Sequence, residues 1–294
     1  MKILTTLLCL LPLASFAGEI TVRKDVSFLG EERKEKLDAY LPPASFARPV
    51  PAVVFIHGGS WSHGSKTQNA ATCRTLAENG YAVFSIDYLL NEVIRDGQGK
   101  IVTTTKVAWP VNFLDCKTAL RFVRKNAAEY GVDPGRIAVM GNSAGGHLAM
   151  LVAATQDSEE MNRGGLHTDV SNEVSAVINF YGRSVITQER HDRFAGETPE
   201  QTLANAAAAS PQTYFTKSLP PFLIVQGDAD EVVPVKFNRD LAAKLGELGV
   251  PHEYVELPGA GHAFGLQPKE KDLRPVVLSF LGKYLAKPAP AAAP

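Results

Sequence analysis

Residues Gly141-Asn142-Ser143-Ala144-Gly145 follow the β-branched and apolar run at 136–140 and lead directly into the helix-forming stretch at 147–152. A strand, a sharp turn and a helix, with a serine at the tip, constrain the fold more than any other feature of the chain. The flanking glycines fit a turn too tight for side chains, in which nothing may crowd the serine hydroxyl. Short glycine-serine strings also arise by chance in loops, so the reading rests on the strand-turn-helix setting and on partners elsewhere. Serine at its own pKa is a poor nucleophile and needs a histidine base, itself oriented by a carboxylate.

Both occur further along. The apolar run at 221–225 reads as a buried strand and is followed by Gln226-Gly227-Asp228-Ala229-Asp230-Glu231-Val232-Val233-Pro234. A strand end followed by an acidic turn is where the carboxylate belongs, and Asp228, Asp230 and Glu231 all compete for it on composition alone. The next strand, at 252–257, leads into Pro258-Gly259-Ala260-Gly261-His262, a glycine-rich loop carrying one histidine. The order is serine, acid, histidine.

A further motif, His57-Gly58-Gly59-Ser60-Trp61, follows the apolar run at 52–56. With these motifs the chain resembles the α/β-hydrolase superfamily, and within it the esterase/lipase branch with an His-Gly-Gly-x-Trp oxyanion loop. The likeness runs from about residue 19 to residue 285 and looks closest to secreted carbohydrate esterases of the acetylxylan and feruloyl type, with arylformamidases as near cousins. The resemblance implies Ser143 as nucleophile, His262 as base and Asp230 as triad acid, since family members place the acid four residues before the Val-Pro proline, here Pro234. It also implies an oxyanion hole made by the backbone amides of Gly59, Ser60 and Ala144, with Trp61 next in the loop as a candidate substrate-binding residue. Ser60 stands where the commonest lipase version has glycine, so its side chain should narrow or polarise the pocket and disfavour long acyl chains.

The 294 residues, 45% hydrophobic and 21% charged, suit one large globular domain. A formal charge of −1 predicts no preference for nucleic acid or an anionic membrane. Met1-Lys2, the apolar run at 3–16 and Ala14-Ser15-Phe16-Ala17 before Gly18 read as a signal peptide over 1–17. That run is shorter than the roughly 20 residues that span a bilayer, so the expectation is cleavage, no membrane anchor, and a secreted or periplasmic chain. The hydrolase domain is expected over 18–286, and the Pro/Ala tail at 287–294 as disordered. Cys9 falls in the leader. Cys73 and Cys116 remain, and an oxidising compartment invites a disulfide. In the resembled fold, however, their helices pack on opposite faces of the sheet, which predicts two buried free thiols.

Strands are expected at 19–23, 37–41, 52–56, 82–86, 137–140, 176–180, 222–225 and 253–256, and helices at 66–79, 109–130, 145–154, 235–248 and 269–285. Strands without alternation, separated by helices, predict a mostly parallel sheet covered on both faces, antiparallel at the end where two strands open the chain. With the resemblance this is the α/β-hydrolase fold, an eight-stranded sheet with a small cap. Residues 88–108 read as a hairpin excursion near the site, and 183–219 as a helical cap insertion over it.

Other residues have plainer readings. His57 should brace the oxyanion loop, His147 should pack on a helix face, and Asp115 and Arg121 read as structural helix-face charges. Asp228 reads as a turn residue bonding its own backbone. Trp61 divides between wedging its loop against the core and lining the leaving-group pocket. The seven histidines show no closed metal-ligand spacing, and no metal, nucleotide or other cofactor is required. The function expected is a secreted serine carboxylesterase acting on acetyl or feruloyl esters of plant polysaccharides. An arylformamidase or amidase would use the same triad, and a noncatalytic binding module of this fold would lack one.

Overall fold

A computed structural model describes residues 18–286; the expected signal peptide and Pro/Ala tail lie outside the described residues. The chain runs through β1 (Thr21–Val26), β2 (Leu37–Leu41), β3 (Val50–Ile56), α1 (Ala70–Glu78), β4 (Ala82–Ile86), β5 (Glu92–Arg95), β6 (Ile101–Lys106), α2 (Val111–Lys125), α3 (Ala127–Tyr130) and β7 (Val132–Asn142). It continues through α4 (Ala144–Ala154), α5 (Glu159–Asn162), β8 (Ala176–Phe180), α6 (Pro199–Ala208), β9 (Phe222–Gly227), α7 (Lys236–Glu247), β10 (His252–Leu257) and α8 (Arg274–Tyr284).

Eight strands form one sheet in the order β1-β2-β4-β3-β7-β8-β9-β10. From β4 to β10 all neighbours are parallel, while β1 with β2 and β2 with β4 are antiparallel. The expected α/β-hydrolase architecture is the one observed. Its central strands are apolar on both faces because both faces are covered. Along β3, Ala52, Val54 and Ile56 enter one apolar layer with Leu120 of α2, Leu148 of α4 and Leu241 of α7. Val53 and Phe55 enter the other, with Leu76 of α1 and Phe280 of α8. The sheet thus separates two cores, and Cys73 and Cys116 sit in different ones as free, buried thiols.

Three helices are shorter than local pattern suggested. Residues 66–69 stay out of α1 because the Lys66 amide donates to Asp87 Oδ1 at 2.7 Å and its carbonyl accepts from Ser85 Oγ at 2.7 Å. Its ammonium also pairs with Asp25 and Asp38 at 2.9 and 2.8 Å, so tertiary bonds override helix propensity there. The helix expected at 109–130 breaks at Asn126, and the last helix begins at Arg274, with Pro275 in its first turn. Segment 183–219 folds into a 3-10 turn at Gln188–Phe194, α6, and a second 3-10 turn at Pro211–Tyr214. Strands β5 and β6 pair as the hairpin expected at 88–108. Among the described residues no helix is long and apolar enough to cross a membrane.

Candidate active site

Four loops leave the C-terminal ends of the parallel strands β3, β7, β9 and β10, which is where open α/β sheets place their ligands. They carry residues 57–61, Ser143, Asp230 and His262 respectively. Strands β3 and β7 are neighbours, so the first two loops are adjacent in space.

After β7 the backbone turns so sharply that Ser143 takes φ 52° and ψ −120°, a conformation side chains other than glycine's rarely adopt. The flanking glycines are demanded by the main chain around them. A Cβ on Gly141 would lie 2.3 Å from the Gly145 carbonyl oxygen, and one on Gly145 would lie 2.0 Å from that of Ile56. Helix α4 can therefore press against β3 only with glycine at the contact. Ser143 is the one partly exposed residue between 137 and 153, so the turn holds its hydroxyl out of an otherwise buried run.

The three residues distant in sequence meet here. In the tautomer that satisfies both contacts, Ser143 Oγ donates to His262 Nε2 at 2.9 Å, and His262 Nδ1 donates to Asp230 Oδ2 at 2.7 Å. Asp230 is buried, which pushes its pKa up. The His262 bond, the Val233 amide, the His262 charge and Gln226 outweigh that and hold the carboxyl below its ordinary value. The amides of Val232 and Val233 donate to its Oδ1 at 2.9 and 2.8 Å, fixing the carboxylate in plane. Asp228 instead accepts the Gly259 amide at 2.6 Å across the β9 and β10 loops, and Glu231 is exposed. Of the three acids, only Asp230 meets the imidazole. Asp228 bonds the neighbouring loop rather than its own backbone.

The loop after β3 is equally contorted. Gly59 has φ 120°, and a Cβ there would lie 1.9 Å from the His63 carbonyl oxygen; Ser60 and Trp61 have φ 52° and 57°. Its Gly58 amide donates to Asn142 Oδ1 at 3.0 Å, which ties the loop to the residue before Ser143. Among the described residues no acceptor takes the amides of Gly59, Ser60 or Ala144. The Ala144 amide also opens helix α4, where the helix dipole favours negative charge. Ser60, Trp61, Ser143, Ala144, Arg183, Arg190, Val232 and Val233 line a narrow crevice over the serine.

Trp61 is 3% exposed and wedged edge-on against His147 and Phe194, and it also lines the crevice. His147 is more than helix-face packing. Its Nδ1 accepts from Trp61 Nε1 at 3.1 Å and its Nε2 donates to the Ala209 carbonyl at 2.6 Å, joining α4, the loop after β3 and the segment after α6. Burial lowers its pKa to about 4, so the ring stays neutral as this bonding requires. His57 braces the loop through Nδ1 to the Gly58 carbonyl and stacks on Tyr88 at 4.4 Å. Asp115 forks with Arg33, and Arg121 holds the carbonyls of Asn162 and Gly164, both structural contacts.

Some supporting residues carry no motif. Asn142 Nδ2 donates to the Tyr181 hydroxyl at 3.2 Å, and that hydroxyl donates to the Phe264 carbonyl at 2.7 Å while its ring meets His262 edge-on at 4.7 Å. Behind Asp230, the amides of Gln226, Asn238 and Asn179 form a buried chain with steps of 3.1, 2.6 and 3.0 Å. Of these only Asn142 could have been suspected, because it sits inside the serine motif. The others become neighbours only through sheet pairing. No group of three His, Cys, Asp or Glu among the described residues could hold a metal ion.

The BD-FAE family model matches residues 37–245, more than half of the chain, including both glycine motifs and Asp230. The chain belongs to the BD-FAE family. Similar to this BD-FAE chain is the esterase LipC of Mycobacterium tuberculosis, 32% identical over 250 residues that make up 81% of this chain and 59% of LipC. The chain therefore spans about three fifths of that curated relative. Among solved structures, a truncated carbohydrate esterase from gut microbiota superposes with a TM-score of 0.77 at 24% identity, over 91% of this chain and 97% of its own. Thermogutta terrifontis esterase 2 with propionate bound superposes with a TM-score of 0.68 at 29% identity, over 93% and 97%. Both share the fold of this chain.

Proposed function

We propose that this BD-FAE chain is a serine carboxylesterase for short acyl groups. The observation that carries the reading is the unbroken hydrogen-bonded line from Ser143 through His262 to Asp230, lying beneath amides that have no acceptor. In this mechanism Ser143 Oγ attacks the ester carbonyl carbon as its proton passes to His262 Nε2. Asp230 stabilises the imidazolium so formed and stays ionised. The carbonyl oxygen, now an oxyanion, moves toward the amides of Ala144, Gly59 and Ser60; one such donor is typically worth about 100-fold to 1,000-fold in turnover. His262 gives its proton to the departing alkoxide, leaving an acyl-Ser143. Water, deprotonated by the same imidazole, then releases the acid and restores the serine.

The narrow crevice and Ser60 support short acyl groups, as does the propionate held by Thermogutta terrifontis esterase 2. Among natural esters we favour acetyl groups on plant polysaccharides over the bulkier feruloyl group, a preference that rests on the carbohydrate-esterase resemblance. Export rests on the leader at 1–17 and is checked by the mass of the mature chain, expected to begin at Gly18. A rate panel of p-nitrophenyl acetate, butyrate and octanoate, with methyl ferulate and acetylated xylan, tests the substrate. Acetate should lead octanoate by at least about tenfold in kcat/KM, and Ser143→Ala should abolish all rates. A rise toward octanoate would overturn the small-acyl reading, and N-formyl-kynurenine cleaved faster than any ester would make the chain an amidase.

A further inference from the structure

Two guanidiniums, Arg183 and Arg190, wall the crevice over Ser143. Arg183 is buried and fully committed. Its Nη1 donates to Thr187 Oγ1 and Glu189 Oε1 at 2.9 Å each, its Nη2 donates to the Val232 carbonyl at 3.3 Å, and its plane lies over the Phe237 ring at 4.9 Å. Arg193, on the 3-10 turn that also carries Arg190, is paired with Asp192 and donates to Thr104 Oγ1 at 2.7 Å. Arg190 differs from both. Its backbone amide bonds the Thr187 carbonyl at 2.8 Å, but among the described residues its side chain has no carboxylate, hydroxyl or carbonyl partner. Glu231, beside the crevice residue Val232, is exposed and takes no bond from it.

Arg190 stands close to both of these carboxylate-paired guanidiniums. Burial lowers the pKa of Arg183 and of Arg193, and the charge of Arg190 adds to the lowering in each. Arg190 is itself only partly exposed, so water screens it incompletely. A partly exposed guanidinium with no side-chain partner of its own among the described residues, facing the crevice over Ser143, leaves its donors open to an arriving anion. The planar fork of a guanidinium matches a carboxylate in particular.

We infer that the substrates of this site are esters carrying a carboxylate, which Arg190 seats beside the scissile bond. This deepens the esterase reading and rests on it. The carboxylate is a spectator: water still adds across the ester bond, and the acid and alcohol leave as before. It can enter on the acyl side, as in a half-ester of a dicarboxylic acid, or on the alcohol side, as in an acylated uronate or hydroxy acid.

Two pairs of matched shape separate these sources. Monoethyl succinate against ethyl 4-oxopentanoate places the charge on the acyl side, and 4-acetoxybenzoate against 4-acetylphenyl acetate places it on the alcohol side. In pH-stat assays the anionic member of at least one pair should have the higher kcat/KM by about tenfold to a hundredfold, the range for a hydrogen bond to a charged group. That ratio should shrink toward one in about 0.5 M NaCl and in Arg190→Gln, while Arg190→Lys retains part of it. Neutral members cleaved as fast or faster in both pairs, or a ratio that survives both salt and Arg190→Gln, would overturn the inference. If Arg190→Gln loses its circular dichroism spectrum, the wild-type ratio and its salt dependence decide alone. A failure of the esterase reading looks different, because then neither p-nitrophenyl acetate nor any member of the pairs is cleaved.

Discussion

At the scale of single residues, the roles of neighbouring acids are separated by which amides face them. Asp230 holds both the imidazole and two backbone amides, whereas Asp228 holds only the Gly259 amide. Asp230→Asn should lower kcat by about 1,000-fold to 10,000-fold, as expected when the base loses the partner that fixes its tautomer, while Asp228→Asn should cost less than about tenfold. Steady-state rates on p-nitrophenyl acetate decide between them. His147 gives a residue-scale prediction for stability. Its pKa is about 4 in the fold against an ordinary 6.5, so the unfolded chain binds a proton in a range where the folded one does not. Stability is therefore full above pH 6.5 and falls as pH drops toward 4, by up to about 3 kcal/mol from this one ring. Urea midpoints at pH 7 and 4.5 should differ less in His147→Leu than in wild type. Some pH dependence should remain, because burial also lowers the pKa of His57 and His63. An unchanged difference would remove His147 from the account.

At the scale of elements, the site is made by backbone that departs from ordinary conformation. Of the seven non-glycine residues with positive φ among the described residues, Ser60, Trp61, Ser143 and Ala263 belong to the loops of the site and Tyr181 packs against His262, so strain is concentrated there. The packed sheet beneath maintains it. Gly145→Ala would put a methyl 2.0 Å from the Ile56 carbonyl and force α4 away from β3, carrying the Ala144 amide with it. We expect a loss of at least about 2 kcal/mol in stability and more than about 100-fold in kcat, read by thermal melts and esterase rates. Motifs of this kind were legible in the sequence because tight backbone demands particular residues at fixed spacing. Helix ends were not, since Lys66 and its neighbours obey partners on β2 and the β4 loop rather than their own helical tendency. Asn179, Gln226 and Tyr181 were silent for the same reason: each acts only once β8, β9 and β10 lie side by side.

At the scale of the molecule, the parallel sheet separates two apolar cores and gathers four loops at one end. Because Cys73 and Cys116 occupy different cores, burial pushes the thiol of Cys73 up to about 12 and that of Cys116 well above its ordinary value. In a chain beginning at Gly18, neither should react with Ellman's reagent when folded, and both should react in denaturant; rapid titration of the folded protein would contradict the packing described. The layered architecture was legible from the alternation of apolar runs and helical stretches. The occupancy of the crevice rim by arginines was not, because residues 183–219 carry no periodic pattern that aims a side chain. The central claim is that folding turns Ser143, alone among the serines, into a nucleophile. Labelling with a fluorophosphonate, followed by peptide mass mapping, tests it most directly. One adduct per chain, on the peptide containing Ser143 and lost in His262→Ala, is the predicted result; a folded protein that takes no label, or takes it at another serine, contradicts the account.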